Sequence, residues 1–338
     1  MPAVSVLMPC FNAAETLPAA LESLAGQTLS DFELVAVDDG SMDGTVETLE
    51  KWATGDGRLQ LVRQPHRGIV NALNAGLAAC QAEYIARMDA DDLAAPQRLG
   101  RQVDFLDQHP EVGVIGCRVR GYPPGEVRKG FAIYLEWQNA LISDEEIRRE
   151  IFVESPLAHP SVMMRRKILR EVGGYQENGW AEDYDLWLRF YLAGIKFAKL
   201  PEVLLDWRES AERLTRQDSR YSLENFLRAK AYYLMKGPLQ GRGSVLLWGA
   251  GMIGRRLSKH LLRLGSPLSA FVDVDPGKIG STKRGLPILP AEGVPGWWQE
   301  AVNPVVLAAV GARGARQQIR QYLNAIGLQE GRDWWGVA

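Results

Sequence analysis

Short apolar runs alternate with amphipathic stretches along the first 120 residues of the chain. The amphipathic stretches place apolar residues three and four positions apart, as Leu17, Leu21 and Leu24 do, which predicts helices. The apolar runs are predicted to be buried strands at Val4–Pro9, Phe32–Val37, Leu59–Val62, Tyr84–Arg87 and Val112–Cys117. Strands and helices in alternation predict an α/β fold with a doubly wound, mostly parallel sheet.

Beyond the fifth strand the pattern becomes irregular. Arg118–Trp137 contains the sequence Tyr-Pro-Pro-Gly and is predicted to be a mobile loop. Ser143 and Glu146 fit the capping box of a short helix. A further helix is predicted to begin near Gly179 and to end at Gly194, because glycine commonly terminates helices.

A linker rich in glycine and proline, at residues 237–243, separates two predicted domains. The first domain spans residues 1–236 and includes a charged, aromatic helical extension at residues 209–236. The second domain spans residues 244–338, where the strand–helix pattern restarts with predicted strands at Ser244–Trp248, Leu268–Asp273 and Val305–Val310. It is therefore predicted to be a second, smaller α/β domain.

Composition narrows the class of protein. The chain has 338 residues, 46% hydrophobic and 24% charged, as in ordinary globular proteins. A formal net charge of −2 argues against a nucleic-acid binder that works by broad phosphate neutralisation. The widely spaced Cys10, Cys80 and Cys117 predict a reducing compartment, without a disulfide framework or a cysteine zinc site. With neither a signal peptide nor a long apolar run apparent, we predict a cytoplasmic protein and leave open a peripheral contact with the inner membrane face.

Acidic residues follow two of the predicted strands. Asp38 and Asp39 follow the second strand, whereas Asp89, Asp91 and Asp92 follow the fourth. Strands buried on both faces cannot carry these charges, so the acids are predicted to lie at the carboxyl edge of the sheet, where such folds bind ligands. Two carboxylates one residue apart suit a hard divalent cation shared with substrate phosphates. The alternatives are a solvated acidic turn after the fourth strand and a turn with capping residues after the second.

Four motifs follow one another along the chain: Val-Ser-Val-Leu-Met-Pro-Cys-Phe-Asn at 4–12, Val-Asp-Asp-Gly-Ser at 37–41, Gly-Ile-Val-Asn-Ala-Leu-Asn-Ala-Gly at 68–76 and Met-Asp-Ala-Asp-Asp at 88–92. In this order and spacing they resemble the family-2 glycosyltransferases of GT-A fold, over roughly residues 3–205. The resemblance implies inverting transfer of a sugar from a nucleotide donor, usually a UDP-sugar, with Mg²⁺ or Mn²⁺. It also implies a hydroxyl acceptor, glycan or lipid-linked, in polysaccharide biosynthesis.

The resemblance also implies roles for individual residues. Pro9 and Phe11 line the nucleobase and Asp39 meets it, while Asp89 lies near the ribose and Asp91 binds the metal. The other implied nucleotide contacts are Asn12, Glu15, Arg67, Gly68, Asn71 and Ala90. For Arg67, a solvated arginine is an equally good interpretation. The resemblance fails at Asp206-Trp-Arg-Glu-Ser, where the family tends to carry a histidine.

A later segment, Glu182-Asp-Tyr-Asp-Leu-Trp-Leu-Arg, is similar to the family's base-bearing pattern. Asp183 is therefore the candidate general base, with Glu182 in reserve. Asp183 also falls in the first turn of a predicted helix, where the helix dipole favours an ionised carboxylate. Plain stabilisation of the helix is the alternative. Three further candidates are His159 for the acceptor site, and Trp137 and Trp180 for stacking on a sugar; a structural role in the core is the alternative for each.

The second domain carries a glycine motif between its first strand and the following helix. Gly249, Gly251 and Gly254 form a G-x-G-x-x-G sequence, and Asp273 follows about twenty residues later. This pattern predicts a Rossmann-like domain that binds NAD or another nucleotide; a purely structural or regulatory domain is the alternative. The alternative function is accordingly a sugar-nucleotide-processing enzyme or sensor, in which this domain binds NAD or a nucleotide sugar. Donor sugar, acceptor and oligomeric state stay unspecified.

Overall fold

A computed structural model describes residues 1–210, 216 and 218–338. Their contacts divide the chain into two compact units. Unit 1 comprises residues 1–147, 155–178 and 182–217, and unit 2 comprises residues 148–154, 179–181 and 218–338. No helix in the part of the chain that is described is long and apolar enough to cross a membrane.

Unit 1 is built on an eight-stranded sheet with the order β3-β2-β1-β4-β7-β6-β8-β5. Its strands are β1 Val4–Cys10, β2 Phe32–Asp38, β3 Leu59–Arg63, β4 Tyr84–Arg87, β5 Leu93–Ala94, β6 Val112–Tyr122, β7 Met163–Arg165 and β8 Lys196–Arg208. Its helices are α1 Leu17–Ala25, α2 Thr45–Gly55, α3 Ile69–Ala79, α4 Arg98–Gln108, α5 Lys129–Ala140, α6 Asp144–Glu150 (which runs into unit 2), α7 Arg166–Glu171 and α8 Glu182–Leu192. The predicted mostly parallel α/β sheet is confirmed.

The sheet is covered on both faces, which explains its nearly continuous apolar strands. All seven residues of β1 are buried. Helix α3 packs so closely that a Cβ at Gly76 would lie 2.2 Å from Leu7 Cδ1 and 2.8 Å from Val37 Cγ2. Only glycine therefore fits at position 76 without a shift of the helix or of these two side chains.

Strand directions bring six strand ends to one edge. β1, β2, β3 and β4 run parallel, and β7 is antiparallel to both β4 and β6. β6 therefore runs in the direction of β4, and β8 is parallel to β6. The carboxyl ends of β1, β2, β3, β4, β6 and β8 consequently share the edge at which a ligand site was predicted.

The prediction of a mobile loop over Arg118–Trp137 is wrong for most of that segment. β6 extends to Tyr122, where it pairs with Arg208 of β8, and α5 begins at Lys129. The helix is fixed to the strand because Asn139 accepts a hydrogen bond from the Val119 N–H (2.9 Å) and donates to its carbonyl (2.8 Å). The predicted capping box before α6 is confirmed by reciprocal hydrogen bonds between Ser143 and Glu146.

Unit 2 contains a six-stranded sheet with the order β11-β12-β10-β9-β13-β14, parallel except for the pairing of β11 with β12. Its strands are β9 Ser244–Trp248, β10 Leu268–Val272, β11 Thr282–Lys283, β12 Leu286–Leu289, β13 Pro304–Ala308 and β14 Trp334–Gly336. Its helices are α9 Leu223–Lys236, α10 Met252–Arg263, α11 Val294–Glu300 and α12 Ala315–Ala325. Parallel strands with intervening helices give the Rossmann-like arrangement that the glycine motif predicted.

The predicted helical extension is grouped differently by the contacts of the structure. The sequence placed residues 209–236 with the first domain, whereas residues 218–236 belong to unit 2. The cause is the packing of α9 on α10, where Glu224 contacts Lys259 Nζ (3.3 Å) and His260 Nε2 (2.9 Å). Residues 211–215 and 217 of the predicted extension lie outside the described residues.

Candidate active site

Three carboxylates lie together directly after β4. Oxygen atoms of Asp89, Asp91 and Asp92 all lie within 4.8 Å of one another. Asp89 and Asp91 are half-buried, whereas Asp92 is buried. A compact set of carboxylate oxygens is the donor set that Mg²⁺ and Mn²⁺ prefer, so these residues fit a divalent cation.

Asp92 differs from the other two acids because it is fully buried. Its Oδ1 accepts the backbone N–H of Arg208 (2.7 Å), and Arg208 Nε donates to the carbonyl of Asp91 (2.9 Å). Burial, with the charges of Asp91 and Asp89, raises the pKa of the Asp92 carboxyl well above its usual range. Asp92 thus ties the end of β8 to the acidic turn.

A buried arginine lies beneath the three acids. The Arg87 side chain, 4% exposed, forms an ion pair with Asp89. Burial lowers the pKa of Arg87, but neighbouring negative charges, that of Asp89 first, outweigh burial and leave it raised. Among the described residues its Nε has no hydrogen-bond partner. Arg87 therefore stays charged and holds Asp89. The sequence analysis did not single out Arg87, although an arginine within an apolar strand was a signal that could have identified it.

Asp39, at the end of β2, organises the segment that leads into α3. Its Oδ1 accepts hydrogen bonds from Gln64 Nε2 (2.6 Å) and the Arg67 N–H (2.9 Å). Its Oδ2 accepts the Gly68 N–H (2.8 Å) and lies 2.8 Å from His66 Nδ1. The carboxylate is consequently occupied on both oxygens. Asp38 caps the following turn, as the capping alternative predicted, by accepting the N–H groups of residues 40 and 41.

An exposed aromatic pair lies beside this segment. The rings of Phe11 and His66 are stacked, with centroids 4.1 Å apart and planes 21° from parallel. Phe11 is 44% exposed. Asn12 holds the turn after β1, because its N–H donates to Ser41 Oγ (2.9 Å) and its Oδ1 accepts the Met42 N–H (3.0 Å).

The other predicted nucleotide contacts are spread around the same edge. Pro9 is buried in β1 opposite Val37 of β2. The Ala90 carbonyl accepts a hydrogen bond from Thr16 Oγ1 (3.1 Å), which joins the acidic turn to the start of α1. The remaining three are exposed at the surface: Glu15, Arg67 and Asn71. Arg67 and Gly68 are brought together with Asp39 by hydrogen bonds of their N–H groups. Among the described residues, no hydrogen bond or ion pair joins Glu15 to Asp39.

Helix α8 begins with three acids that differ in environment, and Glu182 among them is buried. Asp183 is half-buried and its Oδ1 accepts the N–H of Tyr184 (2.7 Å). Burial and the charge of Glu182 raise the pKa of Asp183 to about 7. The helix dipole was expected to favour the ionised carboxylate, but these two effects outweigh it. Asp185 is fully buried and pairs with Arg189 (2.8 Å), which is a structural role.

The three further candidates, His159, Trp137 and Trp180, are held by neighbouring aromatic side chains. His159 is buried and its Nε2 forms a hydrogen bond with the Tyr175 hydroxyl (2.9 Å). Burial, with the charge of Arg87, lowers the pKa of His159 well below its usual value, so it is neutral. Trp137 packs against another ring in unit 1, and Trp180 packs within unit 2. These surroundings favour the structural interpretation of all three.

The glycine loop of unit 2 is closely packed at its last glycine and open at its second. A Cβ at Gly254 would lie 1.8 Å from the Gly249 carbonyl oxygen, whereas a Cβ at Gly251 would meet open space. Asp273 is already engaged, because it accepts the Ala250 N–H (3.0 Å) and the Lys278 ammonium (3.2 Å). NAD or nucleotide binding at this loop stays a prediction.

Two solved structures share the fold of this chain. TarS of S. aureus, residues 1–349 in complex with UDP-GlcNAc, matches with a TM-score of 0.57 and 20% identity over 77% of this chain and 72% of that one. The mannosyltransferase PcManGT of Pyrobaculum calidifontis, in complex with GDP-Man and Mn²⁺, matches with a TM-score of 0.54 and 22% identity over 71% and 65%. The fold is therefore that of the GT-A glycosyltransferases.

The sequence comparisons identify the family. The family model described as Glycosyl transferase family 2 matches residues 5–173. The amylovoran biosynthesis glycosyltransferase AmsE of Erwinia amylovora is 33% identical over 220 residues, which cover 63% of this chain and 79% of that protein. The chain belongs to glycosyl transferase family 2, as the four motifs predicted.

Proposed function

We propose that this protein transfers a sugar from a nucleotide-sugar donor to a hydroxyl of a glycan or lipid-linked acceptor in polysaccharide biosynthesis. A UDP-sugar is the first candidate for the donor. The observation that carries the proposal is the set of three carboxylates within 4.8 Å at the edge of the sheet. Support comes from the sugar nucleotides named with TarS and PcManGT, and from the amylovoran pathway named for AmsE. These sugar nucleotides and this pathway are those of similar proteins, and they guide the choice of ligands to test on this chain.

The donor diphosphate is proposed to bind beside the acidic turn with a divalent cation held by Asp91, and Asp89 lies toward the ribose. When bound, the cation neutralises charge on the departing diphosphate. Arg87 positions Asp89 from below through a buried ion pair, and Arg208 positions Asp92. An arginine and a backbone amide thus fix two acids whose mutual repulsion would otherwise spread the turn.

The nucleobase is proposed to lie against the exposed face of the Phe11–His66 pair. Stacking on an aromatic face tolerates any base, so selection requires hydrogen bonds from the neighbouring backbone. Asp39 contributes to selection indirectly, because its hydrogen bonds with Gln64 and with the N–H groups of Arg67 and Gly68 fix the course of that segment. The edge of the base is proposed to lie along the segment that Asp39 holds.

Transfer is proposed to proceed in one displacement that inverts the anomeric centre. The acceptor oxygen attacks the anomeric carbon while Asp183 takes its proton, and the bond to the diphosphate oxygen breaks with its electron pair. Glu182 is the reserve base. A positioned base of this kind contributes roughly 10²–10⁴-fold to the rate.

Nucleotide binding with metal is the direct test of the proposal. We expect UDP-sugars to raise the melting temperature only when Mn²⁺ or Mg²⁺ is present, because the diphosphate and acids share the cation. A donor at 100 times its Kd adds about 2.7 kcal/mol to the free energy of unfolding. Differential scanning fluorimetry against UDP, GDP and their sugars, with EDTA as control, measures the shift. If none stabilises the protein in a metal-dependent way, the proposed function is wrong.

The pH dependence tests the base. The pKa of Asp183 is about 7, so its ionised fraction rises as the pH increases through 7. We expect kcat/KM to fall tenfold per pH unit below that point, because the protonated acid cannot accept the acceptor proton. Initial rates between pH 5 and 9 measure this. A rate that is flat from pH 5 to 7 would contradict the assignment.

A further inference from the structure

The two units carry opposite charge. Residues 218–338 contain 16 Lys and Arg and 8 Asp and Glu, a formal charge of +8. Residues 1–217 contain 23 Lys and Arg and 33 Asp and Glu, a formal charge of −10. Residues 148–154 and 179–181, which also belong to unit 2, add two arginines and two glutamates and leave its balance unchanged. A net charge of −2 for the whole chain therefore hides a strongly basic unit.

Part of this basic charge is concentrated on one face of unit 2. Helix α10 has no acidic residue, and its three arginines are exposed. The turn between β11 and β12 is fixed against this helix, because Arg284 donates to Ser258 Oγ (3.0 Å) and to the Arg255 carbonyl (2.9 Å). We call the resulting surface the basic face; its cationic residues are Arg255, Arg256, Arg263, Lys283 and Arg284.

Within the described part of the chain, none of the five cations of the basic face forms an ion pair. Two acids of unit 2 that contact α10 or the loop before it already have cationic partners. Glu224 contacts Lys259 and His260, and Asp273 contacts Lys278. Five unneutralised charges on one surface repel one another, and an anionic partner would relieve that repulsion.

Apolar side chains are interleaved with these cations. Met252 is 52% exposed, Leu262 is 37% exposed and Leu264, just beyond the end of α10, is 45% exposed. At 3.6 residues per turn, Met252 and Leu262 fall on the same side of the helix as its arginines. The opposite side, with Leu257 and Leu261, is buried in the unit. Arginines interleaved with exposed leucine and methionine are typical of helices that lie on a membrane surface.

From these observations we propose that the basic face binds an anionic phospholipid surface. Clusters of four to eight basic residues bind anionic lipid head groups, and the exposed apolar side chains reach the acyl boundary. A nucleic acid is the less favoured partner, because no aromatic side chain for base stacking stands among these eight residues. The proposal concerns unit 2 and does not depend on the proposed transfer reaction.

The test is co-sedimentation of the full chain with vesicles. We expect binding to vesicles of phosphatidylcholine with phosphatidylglycerol, and none to phosphatidylcholine alone. Each basic residue near the surface contributes about fivefold to partitioning. The variant with Arg255→Gln, Arg256→Gln and Arg263→Gln should therefore bind roughly 100-fold more weakly. The matched control removes the same charge from exposed residues of unit 1, with Lys51→Gln, Arg170→Gln and Lys196→Gln, and should bind like the wild type.

Two further measurements keep the outcome decisive. A Leu262→Ser, Leu264→Ser variant should lose the part of the binding that persists at high salt, because salt screens only the charges. Near-ultraviolet circular dichroism checks that each variant is folded. The proposal is overturned if the wild type ignores anionic vesicles, if it binds neutral vesicles equally well, if the control loses as much binding as the arginine variant, or if the arginine variant loses binding to duplex DNA but not to vesicles.

Discussion

Replacing Asp91 by alanine is expected to lower kcat/KM by roughly 10³-fold. Asp91 is a half-buried member of the acid triad, and its loss removes an oxygen ligand from the proposed cation. Without that ligand the charge on the departing diphosphate is no longer neutralised. The rate is measured as release of nucleoside diphosphate, with the donor that the fluorimetry screen selects. The same variant should lose the metal-dependent rise in melting temperature.

The control for Asp91→Ala removes an acid of the same type away from the site. Asp104 is exposed on α4, so Asp104→Ala should leave both the rate and the metal effect unchanged. Asp92 is not a suitable control, because its buried carboxylate holds the Arg208 N–H and its loss would disturb β8. If the Asp91→Ala variant kept the wild-type rate and metal dependence, Asp91 would not hold a cation that transfer requires.

The substitution Asp183→Asn is expected to lower kcat by roughly 10²–10⁴-fold, because an amide cannot accept the acceptor proton. Metal-dependent nucleotide binding should be unchanged, since the proposed role of Asp183 is to take a proton from the acceptor and not to bind the donor. Single-turnover rates measure the first effect and fluorimetry with the donor and Mn²⁺ measures the second. Loss of both together would indicate a role in folding or donor binding instead.

Two neighbours of Asp183 provide matched controls on the same helix turn. Glu182→Gln should lower the pKa of Asp183, because it removes the negative charge that helps to raise it. The acidic limb of the pH profile should then move to lower pH, with the rate above pH 8 retained. A larger loss of rate with Glu182→Gln than with Asp183→Asn would transfer the base role to Glu182. Asp185→Asn should chiefly cost stability, roughly 3–5 kcal/mol, because it breaks a buried ion pair with Arg189.

The sequence predicted the strands and the place of the acids for a clear physical reason. Buried parallel strands must be apolar along their length, and their carboxyl ends must share an edge. That rule placed Asp39 and Asp91 at one edge without knowledge of any contact. The prediction of a loop over Arg118–Trp137 was wrong because the irregularity of the Pro-Pro-Gly turn was assigned to the residues on both sides of it as well. In the structure, pairing with β8 continues the strand up to Tyr122.

The remainder of the site depends on contacts that the sequence marks unevenly. Arg208 holds Asp92 across 116 positions of sequence, and no local pattern joins the two. Arg87 lies only two positions before Asp89, and an arginine within an apolar strand is a local signal for that pair. The pKa of Asp183 shows the same limit: the sequence offered the helix dipole, which favours ionisation, whereas burial and Glu182 decide the sign.

Unit 2 is made of three separate pieces of chain, and this has a consequence for any attempt to express the two domains apart. Inside this unit, Glu150 pairs with Arg316 (3.0 Å) and Arg320 (2.8 Å), and Trp180 packs on Tyr232 with centroids 5.5 Å apart. A chain cut at the linker keeps Tyr232 beside Trp180 but loses both arginines, which leaves the buried Glu150 without these two partners. Because a buried charge without its partners is strongly destabilising, the shortened chain is expected to be less stable than the full one.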